Sequence, residues 1–317
     1  MPLETRTIGA TDVEVTAIGL GGGSLGRASA EEAAAIVATA WDGGVRYFDT
    51  APLYGMGVSE RRDGASLSQR PRDEFALSTK VGRLLVPGTA DKLEVEYDYS
   101  YDGVRRSFEA SLGRLGLDRV DILLCHDIDI WTHGEGQPAI FETARNGALR
   151  ALADLREEGT IRAFGLGVNE WQVCSQVMDE FPVDCFLLAG RFTLLEQEPL
   201  AEFLPKCLEQ QVSIIIGGPY NSGLLAVDDR AQATYDYKPV DDARWDRVQQ
   251  IRAICDAHGV DLRAAALQYP LRHPAVAATI PGAKSVAEVT ANLGYFASPI
   301  PDALWDDLDA AGLAPRV

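Results

Sequence analysis

Short apolar runs alternate with longer amphipathic stretches along almost the whole chain. Each run has a length that suits a strand, and the stretch after it places apolar residues at helical spacing. The predicted strands cover residues 15–20, 45–49, 75–80, 120–126, 164–168, 185–188, 212–216 and 276–280. Strands that alternate with helices in this way are typical of an α/β fold built on a parallel sheet.

The number of strands and the glycine pattern distinguish two α/β architectures. An open, doubly wound sheet usually has fewer strands and often begins its first helix with G-x-G-x-x-G, a pattern that Gly21-Gly22-Gly23 lacks. We therefore predict a (β/α)8 TIM barrel that forms a single domain over residues 1–317, with the open sheet as the alternative.

Additional segments are expected around this barrel. Residues 6–8 and 13–15 form a predicted N-terminal β-hairpin, and residues 302–312 form an extra C-terminal helix. One helix is predicted over residues 143–158, and a polar loop over residues 225–240. A loop of about 18 residues follows the third strand and another long loop follows the fourth, and loops of this length inside a compact domain are usually functional.

Polar side chains end three successive strands of the predicted barrel. The second, third and fourth strands end in Asp49, Lys80 and His126, and Tyr54 lies on the loop just after the first of these. Adjacent strands are about 5 Å apart, so these residues are expected to meet at one end of the barrel. An ion pair of Lys80 with Asp49 would place an ammonium beside the phenol and lower the pKa of Tyr54. Taken singly, each residue also has an ordinary structural explanation, but three in succession favour an active site.

Composition limits the partners that the protein can have. The chain has 317 residues, 46% of them hydrophobic, and 47 acidic against 29 basic residues give a net charge of −18. This charge repels nucleic acid and anionic lipid, so we expect a small-molecule substrate and neither nucleic acid nor membrane as a partner. The start lacks the apolar core of a signal peptide, and no apolar run reaches about 20 residues, which favours the cytoplasm. Five scattered cysteines and four histidines lack metal-ligand spacing, so no metal site is predicted.

The stretch from Gly44 to Gly55, followed by Ser59-Glu60, resembles the signature of the aldo-keto reductases. Further landmarks of that family follow in order: Ser78-Thr79-Lys80, the run that ends at His126, Gly165 to Val168, Gly218-Pro219 and Ile280 to Ala283. The resemblance spans about residues 6–295. It implies a barrel that binds NAD or NADP in extended form without a Rossmann domain.

The same resemblance implies roles for individual residues. Tyr54 would be the general acid and base, tuned by Lys80 and Asp49. His126 would orient the carbonyl or alcohol of the substrate. Cofactor contacts are implied at Gly22, Asn169, Gly218, Pro219, Gly223, Lys284, Ser285, Glu288 and Asn292.

The region expected near the nicotinamide departs from the common family pattern. Asn169-Glu170 stands where Ser-Asn commonly grips the carboxamide, Ala189 stands where glutamine is usual, and Gly217 stands where a tyrosine commonly stacks on the ring. Asn169 can still hydrogen-bond an amide. Phe192 or Tyr220 offers an aromatic ring nearby, although a role in the core is equally expected for both.

The choice between NAD and NADP depends on the start of the last barrel helix. Lys284 and Ser285 match the place where the family holds the adenosine phosphate, and a helix N-terminus suits a phosphate. Glu288, one turn later, would repel a 2′-phosphate but can bond a free ribose hydroxyl. We therefore expect NAD or the use of both cofactors, and the alternative is that Glu288 faces solvent as an ordinary first-turn acid.

Three functions are consistent with the sequence. The loops resemble those of a bacterial subgroup of aldose 1-dehydrogenases, which act on L-fucose, D-threo-aldose or galactose, together with pyridoxal 4-dehydrogenase. Trp131 would stack on a sugar face and His133 would bond a hydroxyl, or both would pack within the loop. A general aldehyde or ketone reductase that uses NADPH is the second function. A redox-sensing binding subunit is the third, and the four residues at the strand ends argue against it. The sequence does not indicate an oligomeric state.

Overall fold

The structure is a computed structural model that describes residues 2–89 and 92–317. Within these residues the strands, in chain order, are β1 (Thr5–Thr7), β2 (Glu14–Thr16), β3 (Leu20–Gly21), β4 (Tyr47–Asp49), β5 (Ala76–Val81), β6 (Arg83–Pro87), β7 (Leu93–Tyr97), β8 (Ile122–His126), β9 (Ala163–Val168), β10 (Cys185–Ala189), β11 (Ser213–Gly217), β12 (Thr234–Tyr235), β13 (Lys238–Pro239) and β14 (Val276–Ile280).

Eight of these strands form one parallel sheet that curves into a barrel. Their order in the sheet is β3, β4, β5, β8, β9, β10, β11 and β14, which is also their order along the chain. Bridges from Ile18 to Thr279 and from Gly21 to Gly282 join the first strand to the last. The prediction of a (β/α)8 barrel is therefore confirmed.

Helices surround the barrel and connect its strands. They are α1 (Ala30–Asp42), α2 (Val58–Leu67), α3 (Tyr101–Leu115), α4 (Ile130–His133), α5 (Gln137–Asn146), α6 (Ala148–Glu157), α7 (Trp171–Met178), α8 (Phe203–Glu209), α9 (Asp242–Ala257), α10 (Leu262–Gln268), α11 (Val286–Ala297) and α12 (Asp302–Ala310). A capping box formed by Ser29 and Glu32 starts α1, because each residue satisfies the backbone N–H of the other. The extra C-terminal helix is present as α12.

Apolar residues on the two faces of the strands build two hydrophobic clusters. Along β8, Leu123 and Cys125 face the helices, whereas Ile122 and Leu124 face the inside of the barrel. The hairpin of β1 and β2 contributes Ile8, Val13 and Val15 to the inner cluster. Side-chain bonds from Arg6 to the backbone oxygens of Leu271 and Val276 hold this hairpin against the amino end of β14. The hairpin therefore covers the amino-terminal end of the barrel.

The predicted first strand, residues 15–20, is wrong in its bounds. Val15 pairs with Arg6 in the antiparallel hairpin, and only Leu20–Gly21 forms a strand of the barrel. The two segments form one apolar run in the sequence. They separate at Thr16, because its hydroxyl donates a hydrogen bond to the carbonyl oxygen of Ile18 at 2.8 Å. The same hydroxyl oxygen accepts the backbone N–H of Arg46 at 3.0 Å.

Segments predicted as loops contain regular structure. The long loop after β5 carries the antiparallel hairpin of β6 and β7, and the polar loop over residues 225–240 carries β12 and β13. The predicted helix over residues 143–158 is divided into α5 and α6 at Gly147. A Cβ on Gly147 would lie 2.5 Å from the carbonyl oxygen of Tyr99, so the chain passes too close there for any side chain.

Two observations bear on the environment of the protein. All five cysteines lie within the described residues, and each is buried and free of a disulfide. Across residues 2–89 and 92–317, no helix combines the length and apolar character that a membrane span requires.

Candidate active site

The ends of β4 and β5 bring Asp49 and Lys80 into contact. Asp49 is paired across the sheet with Ser78, and Lys80 lies two residues further on the same strand, so both side chains face the inside of the barrel. Lys80 Nζ donates to both oxygens of Asp49, at 2.9 and 2.8 Å, and to the carbonyl oxygen of Thr50 at 3.0 Å. Ser78 Oγ donates to Asp49 Oδ1 at 2.7 Å. The ion pair is almost completely buried, with 1% and 2% of the side chains exposed.

The loop after β4 places Tyr54 over this ion pair. Lys80 Nζ lies 4.8 Å from the centre of the Tyr54 ring. The turn at Gly55 has φ +60° and lies so close to Gly26 that a Cβ would be 2.6 Å from the Gly26 Cα, so glycine is required there. This close contact fixes the position from which the tyrosine reaches the barrel interior.

Burial raises the pKa of Tyr54, and the nearby Lys80 ammonium opposes this change without reversing it. The expected lowering of the Tyr54 pKa is therefore wrong, because the desolvation of a phenolate outweighs the favourable charge beside it. The pKa of Lys80 is raised above its ordinary value: burial alone would lower it, but the interactions with Asp49 and Tyr54 outweigh burial. Lys80 therefore stays charged.

His126 completes the group at the end of β8. Its ring centre is 6.2 Å from that of Tyr54, and the two rings are nearly perpendicular. Burial, followed by the charges of Lys80 and Arg83, holds the pKa of His126 well below its usual range. A neutral imidazole has one N–H to donate, which suits a group that binds a carbonyl or hydroxyl oxygen. The structure thus brings together all four residues that the sequence places at strand ends, and their roles stay predictions.

Two further charged residues, Arg83 and Asp127, adjoin the histidine and were not identified from the sequence as site residues. Arg83 Nη2 lies 2.6 Å from Asp127 Oδ2, and the same oxygen is 3.3 Å from His126 Nε2. Asn169, after β9, donates from Nδ2 to Asp127 Oδ1 at 3.2 Å. The only available signal was an aspartate directly after the strand-end histidine, because the arginine reaches it through a hairpin that was predicted as a loop.

A third carboxyl group lies behind the ion pair. Asp63, on α2, is 1% exposed, and its Oδ2 is 3.4 Å from Ser59 Oγ. The serine oxygen is also 2.9 Å from Thr50 Oγ1 and 2.8 Å from the carbonyl oxygen of Gly22. Burial raises the pKa of Asp63 to about 8. Gly22, predicted as a cofactor contact, is itself buried against Asp49 and Ser59 in this region.

The remaining cofactor candidates lie around the same end of the barrel. Gly218 is exposed, with φ +58°, and Pro219 is buried behind it. Gly223 follows at φ +98° in the same loop. Asn169 uses its amide nitrogen within the protein, but its side-chain oxygen has no hydrogen-bond donor among residues 2–89 and 92–317. An oxygen left free in this way is the acceptor that a nicotinamide carboxamide needs.

The start of α11 is capped by its own side chains. Ser285 Oγ accepts the N–H of Glu288 at 3.2 Å, and the Glu288 carboxylate accepts the N–H of Lys284 at 2.7 Å. Lys284 and Glu288 are both exposed. Glu288 therefore has a capping function of its own, as the alternative interpretation of an ordinary first-turn acid expects, while its charge stays at the predicted phosphate position.

Aromatic residues near the predicted cofactor site divide into two groups. Phe192 is completely buried and packs on Tyr269 and His273, so it belongs to the core. Tyr220 is half-buried, and its hydroxyl donates to Asn292 Oδ1 at 2.8 Å. The asparagine predicted for the adenine side is thus held by a tyrosine from the loop after β11.

The two substrate candidates differ in what they contact. His133 Nε2 is 2.9 Å from the carbonyl oxygen of Asp127 and 3.2 Å from the Tyr99 hydroxyl, so this nitrogen is already used within the protein. Trp131 is 49% exposed, and the Arg191 guanidinium lies 5.6 Å from its ring centre. Of the two, only the tryptophan presents a surface on which a ligand can stack.

A groove of about 520 Å³ between α1 and α2 lies on the outside of the barrel. None of its lining residues, which include Ala34, Arg61 and Arg70, is among the predicted site residues. The groove therefore lies apart from the predicted site, whose polar groups converge at the strand ends.

The chain is similar to known proteins over almost its whole length. The family model described as the aldo/keto reductase family matches residues 17–312. The chain is 39% identical to pyridoxal 4-dehydrogenase of Microbacterium luteolum, covering 98% of each chain, and 39% identical to D-threo-aldose 1-dehydrogenase of a Pseudomonas species, covering 96% of this chain and 97% of the relative. An aldo-keto reductase from Bacillus halodurans has a similar structure, with a TM-score of 0.82, 25% identity and coverage of 99% of this chain and 97% of the other. Reductases of this kind use NAD(P)H. The protein belongs to the aldo/keto reductase family.

Proposed function

We propose that the protein is an NAD(P)-dependent dehydrogenase that oxidises a cyclic aldose at C1 to the lactone. The observation that carries this proposal is the buried Lys80–Asp49 ion pair beneath Tyr54, with the neutral ring of His126 opposite the phenol. The relative that is a D-threo-aldose 1-dehydrogenase supports an aldose as the substrate.

In the proposed reaction, the C1 hydroxyl oxygen of the sugar lies between Tyr54 and His126. In this direction Tyr54 acts as the phenolate: its own proton first passes to solvent, and the phenolate then takes the hydroxyl proton while the electron pair of the broken O–H bond forms the C=O bond of the lactone. The cofactor, when bound, supplies the nicotinamide ring that accepts the hydride from C1. His126 donates its N–H to the same oxygen and keeps C1 directed at that ring.

The cofactor is proposed to lie along the loops after β9 and β11 and across the start of α11. The free side-chain oxygen of Asn169 would accept from the carboxamide, and Gly218, Pro219 and Gly223 would line its path. Lys284, Ser285 and Asn292 would hold the adenosine end. The exposed carboxylate of Glu288 at that end supports NAD, or the use of both cofactors.

Trp131 is the proposed contact for the face of the sugar. Its exposed ring, with Arg191 beside it, offers a flat apolar surface next to a hydrogen-bond donor. His133 is proposed to act through its contact with the backbone of Asp127, because its Nε2 is not free to bond a sugar hydroxyl.

Two other activities have specific support. The relative that is a pyridoxal 4-dehydrogenase makes pyridoxal the second candidate substrate. The raised pKa of Tyr54 keeps the phenol protonated at neutral pH, and a protonated phenol suits the donor in carbonyl reduction. An NADPH-dependent aldehyde or ketone reductase is therefore the third candidate.

A substrate panel with both cofactors tests the proposal. We expect nicotinamide reduction with L-fucose, D-threo-aldoses or galactose to exceed that with pyridoxal, and the oxidation of NADPH with simple aldehydes to be slower. Tyr54→Phe is expected to lower kcat by at least about a hundredfold, because the phenyl ring cannot exchange a proton. A panel led by pyridoxal or by aldehydes replaces the aldose proposal, and a Tyr54→Phe variant with an unchanged rate excludes the assigned role of the tyrosine.

A further inference from the structure

A buried carboxylate that the proposed reaction does not use lies next to His126. Asp127 has φ +48°, a left-handed backbone conformation that is uncommon for a residue other than glycine. Its side chain is 11% exposed and forms an ion pair with Arg83, whose side chain is 10% exposed. A strained backbone and a buried ion pair both cost free energy, so this position invites a functional explanation.

Asp127 connects the two sides of the site. Its Oδ2 faces His126 Nε2 at 3.3 Å, which is the substrate side. Its Oδ1 accepts from Asn169 Nδ2 at 3.2 Å, which is the cofactor side. Its backbone carbonyl accepts the Tyr99 hydroxyl at 3.1 Å and faces His133 Nε2 at 2.9 Å. The position of Asp127 is therefore fixed twice: contacts with Tyr99 and His133 hold its backbone, and the Arg83 guanidinium holds its carboxylate.

The tautomer of His126 has no other determinant in the described part of the chain. In a neutral imidazole one ring nitrogen carries the proton, and the hydrogen bond at the other nitrogen usually decides which. His126 Nδ1 is buried and has no hydrogen-bond partner among residues 2–89 and 92–317. A carboxylate can only accept, so Asp127 Oδ2 favours the form in which Nε2 carries the hydrogen.

We propose that Asp127, held by Arg83, is a positioning residue that keeps His126 in its Nε2–H form and aligns it with Asn169. The inference rests on the proposed function, because an Nε2–H matters to turnover only if His126 binds the reacting oxygen. Substrate oxygen then meets a nitrogen that already carries the hydrogen, and no proton has to move within the imidazole before the reaction. Asn169 is bonded to the other oxygen of the Asp127 carboxylate. Its proposed contact with the cofactor carboxamide is therefore held at a fixed position relative to His126.

The charge of Asp127 depends on the groups around it. The titratable groups around it are Tyr54, Lys80, Arg83, Tyr99, Cys125, His126, Asp129 and His133. Burial raises the pKa of Asp127 to about 6, with Arg83 opposing and Asp129 adding to the increase. Below that pH the carboxyl becomes protonated, ceases to be an obligatory acceptor and no longer selects the tautomer of His126.

Nitrogen NMR of the full-length protein, labelled with ¹⁵N-histidine, tests the tautomer directly. The chain has four histidines, and His126→Asn assigns the signal of interest. We expect the Nε2–H form for His126 at pH 7.5 in the wild type, and a substantial Nδ1–H population in Asp127→Asn. Asparagine is the suitable replacement because it keeps the shape and tolerates a left-handed backbone. An unchanged tautomer in Asp127→Asn overturns the proposal, whether or not a substrate has been found.

A second histidine–aspartate pair provides a matched control. His258 Nε2 lies 2.7 Å from Asp307 Oδ2 at the surface, outside the site. Asp307→Asn is expected to change the His258 signal, to leave the His126 signal unaltered and to leave turnover within about twofold of the wild type. A His126 signal that changes equally in both variants would mean a general effect on the protein and would also overturn the proposal.

Kinetics separates positioning from a merely structural role. Asp127→Asn is expected to lower kcat at least about tenfold, with a smaller change in the KM of the substrate, and to abolish the acidic limb near pH 6. Arg83→Lys keeps a cation beside the carboxylate and is expected to retain that limb. If Asp127→Asn does not fold, the pH dependence of the wild-type His126 tautomer decides: a form that stays constant from pH 5 to pH 8 overturns the proposal.

Discussion

The strand-end cluster, formed by Asp49, Tyr54, Lys80 and His126, and the start of α11 both carry charged side chains. The cluster buries its charges, whereas α11 exposes them to water. At the strand ends, Asp49 and Lys80 are almost completely buried, and every charged atom of the pair has a fixed partner. At α11, Lys284 and Glu288 are exposed, and the Glu288 carboxylate accepts the backbone N–H of Lys284. A charge held by strands inside the barrel is strengthened by the low local dielectric, whereas a charge on a helix start is screened by water. We therefore expect the proposed reaction to depend on the first region and cofactor preference to be adjustable in the second.

Lys80→Met tests the buried side of this comparison and has the largest expected effect. The variant leaves the Asp49 carboxylate buried without its cation, so we expect a loss of about 3–5 kcal/mol in the free energy of unfolding. Turnover should fall by at least about a hundredfold, because Tyr54 loses the ammonium beside it. Urea unfolding and steady-state rates measure both changes.

The double variant Asp49→Asn/Lys80→Met is the control for this prediction. Removing both charges should recover part of the lost stability but none of the turnover. A single variant as stable as the wild type would show that the ion pair is not buried as described.

The pH dependence of stability tests the carboxyl group behind the ion pair. Burial raises the pKa of Asp63 to about 8, from 3.8 for an ordinary aspartate, so the folded state binds this proton more tightly. Its contribution to stability is full below about pH 4 and is lost as the pH rises through about 8. We expect Asp63→Asn, which stays neutral, to exceed the wild type in unfolding free energy by a few kcal/mol at pH 9 and by much less at pH 5.

Chemical denaturation at these two pH values measures the difference. Asp309→Asn, at an exposed position on α12, should differ from the wild type equally at both. If the gap between Asp63→Asn and the wild type did not widen with pH, the carboxyl would be ionised in the folded protein.

Glu288→Gln tests the exposed side and has the smallest expected effect. Glutamine keeps an oxygen for the cap of α11 but removes the charge that would repel a 2′-phosphate. We expect kcat/KM with NADP to rise about two- to fivefold, a size typical of an exposed charge, with little change for NAD. Lys284→Gln should shift the ratio of the two cofactors in the opposite direction, and equal changes with both cofactors would place Glu288 away from the phosphate.

Much of the strand-end cluster could be predicted because parallel strands order residues simply. Asp49, Lys80 and His126 end successive apolar runs, and successive strands of a barrel are neighbours. The direction of the Tyr54 pKa was predicted incorrectly, since it depends on how deeply the loop buries the phenol, and spacing contains no information on depth. Arg83 could not be assigned for a different reason. Its contact with Asp127 needs both a hairpin that was predicted as a loop and a left-handed backbone after His126.

The bounds of elements failed where close contacts, and not local patterns, decide them. The predicted helix over residues 143–158 has a continuous apolar pattern, but the approach of Tyr99 to Gly147 divides it. The run over residues 15–20 is continuous in hydrophobicity, yet its two halves pair with different strands. Tyr99 is 48 positions from Gly147, and Phe48, the partner of Leu20, is 28 positions further along the chain, so a local pattern does not contain these contacts.

The hairpin of β1 and β2 closes the amino-terminal end of the barrel. Ile8, Val13 and Val15 pack inside the barrel at its amino-terminal end, opposite the strand ends that carry Asp49, Lys80 and Tyr54. If cofactor and substrate both enter at the strand ends, we expect the molecule that binds deeper in the barrel to arrive first and to leave last.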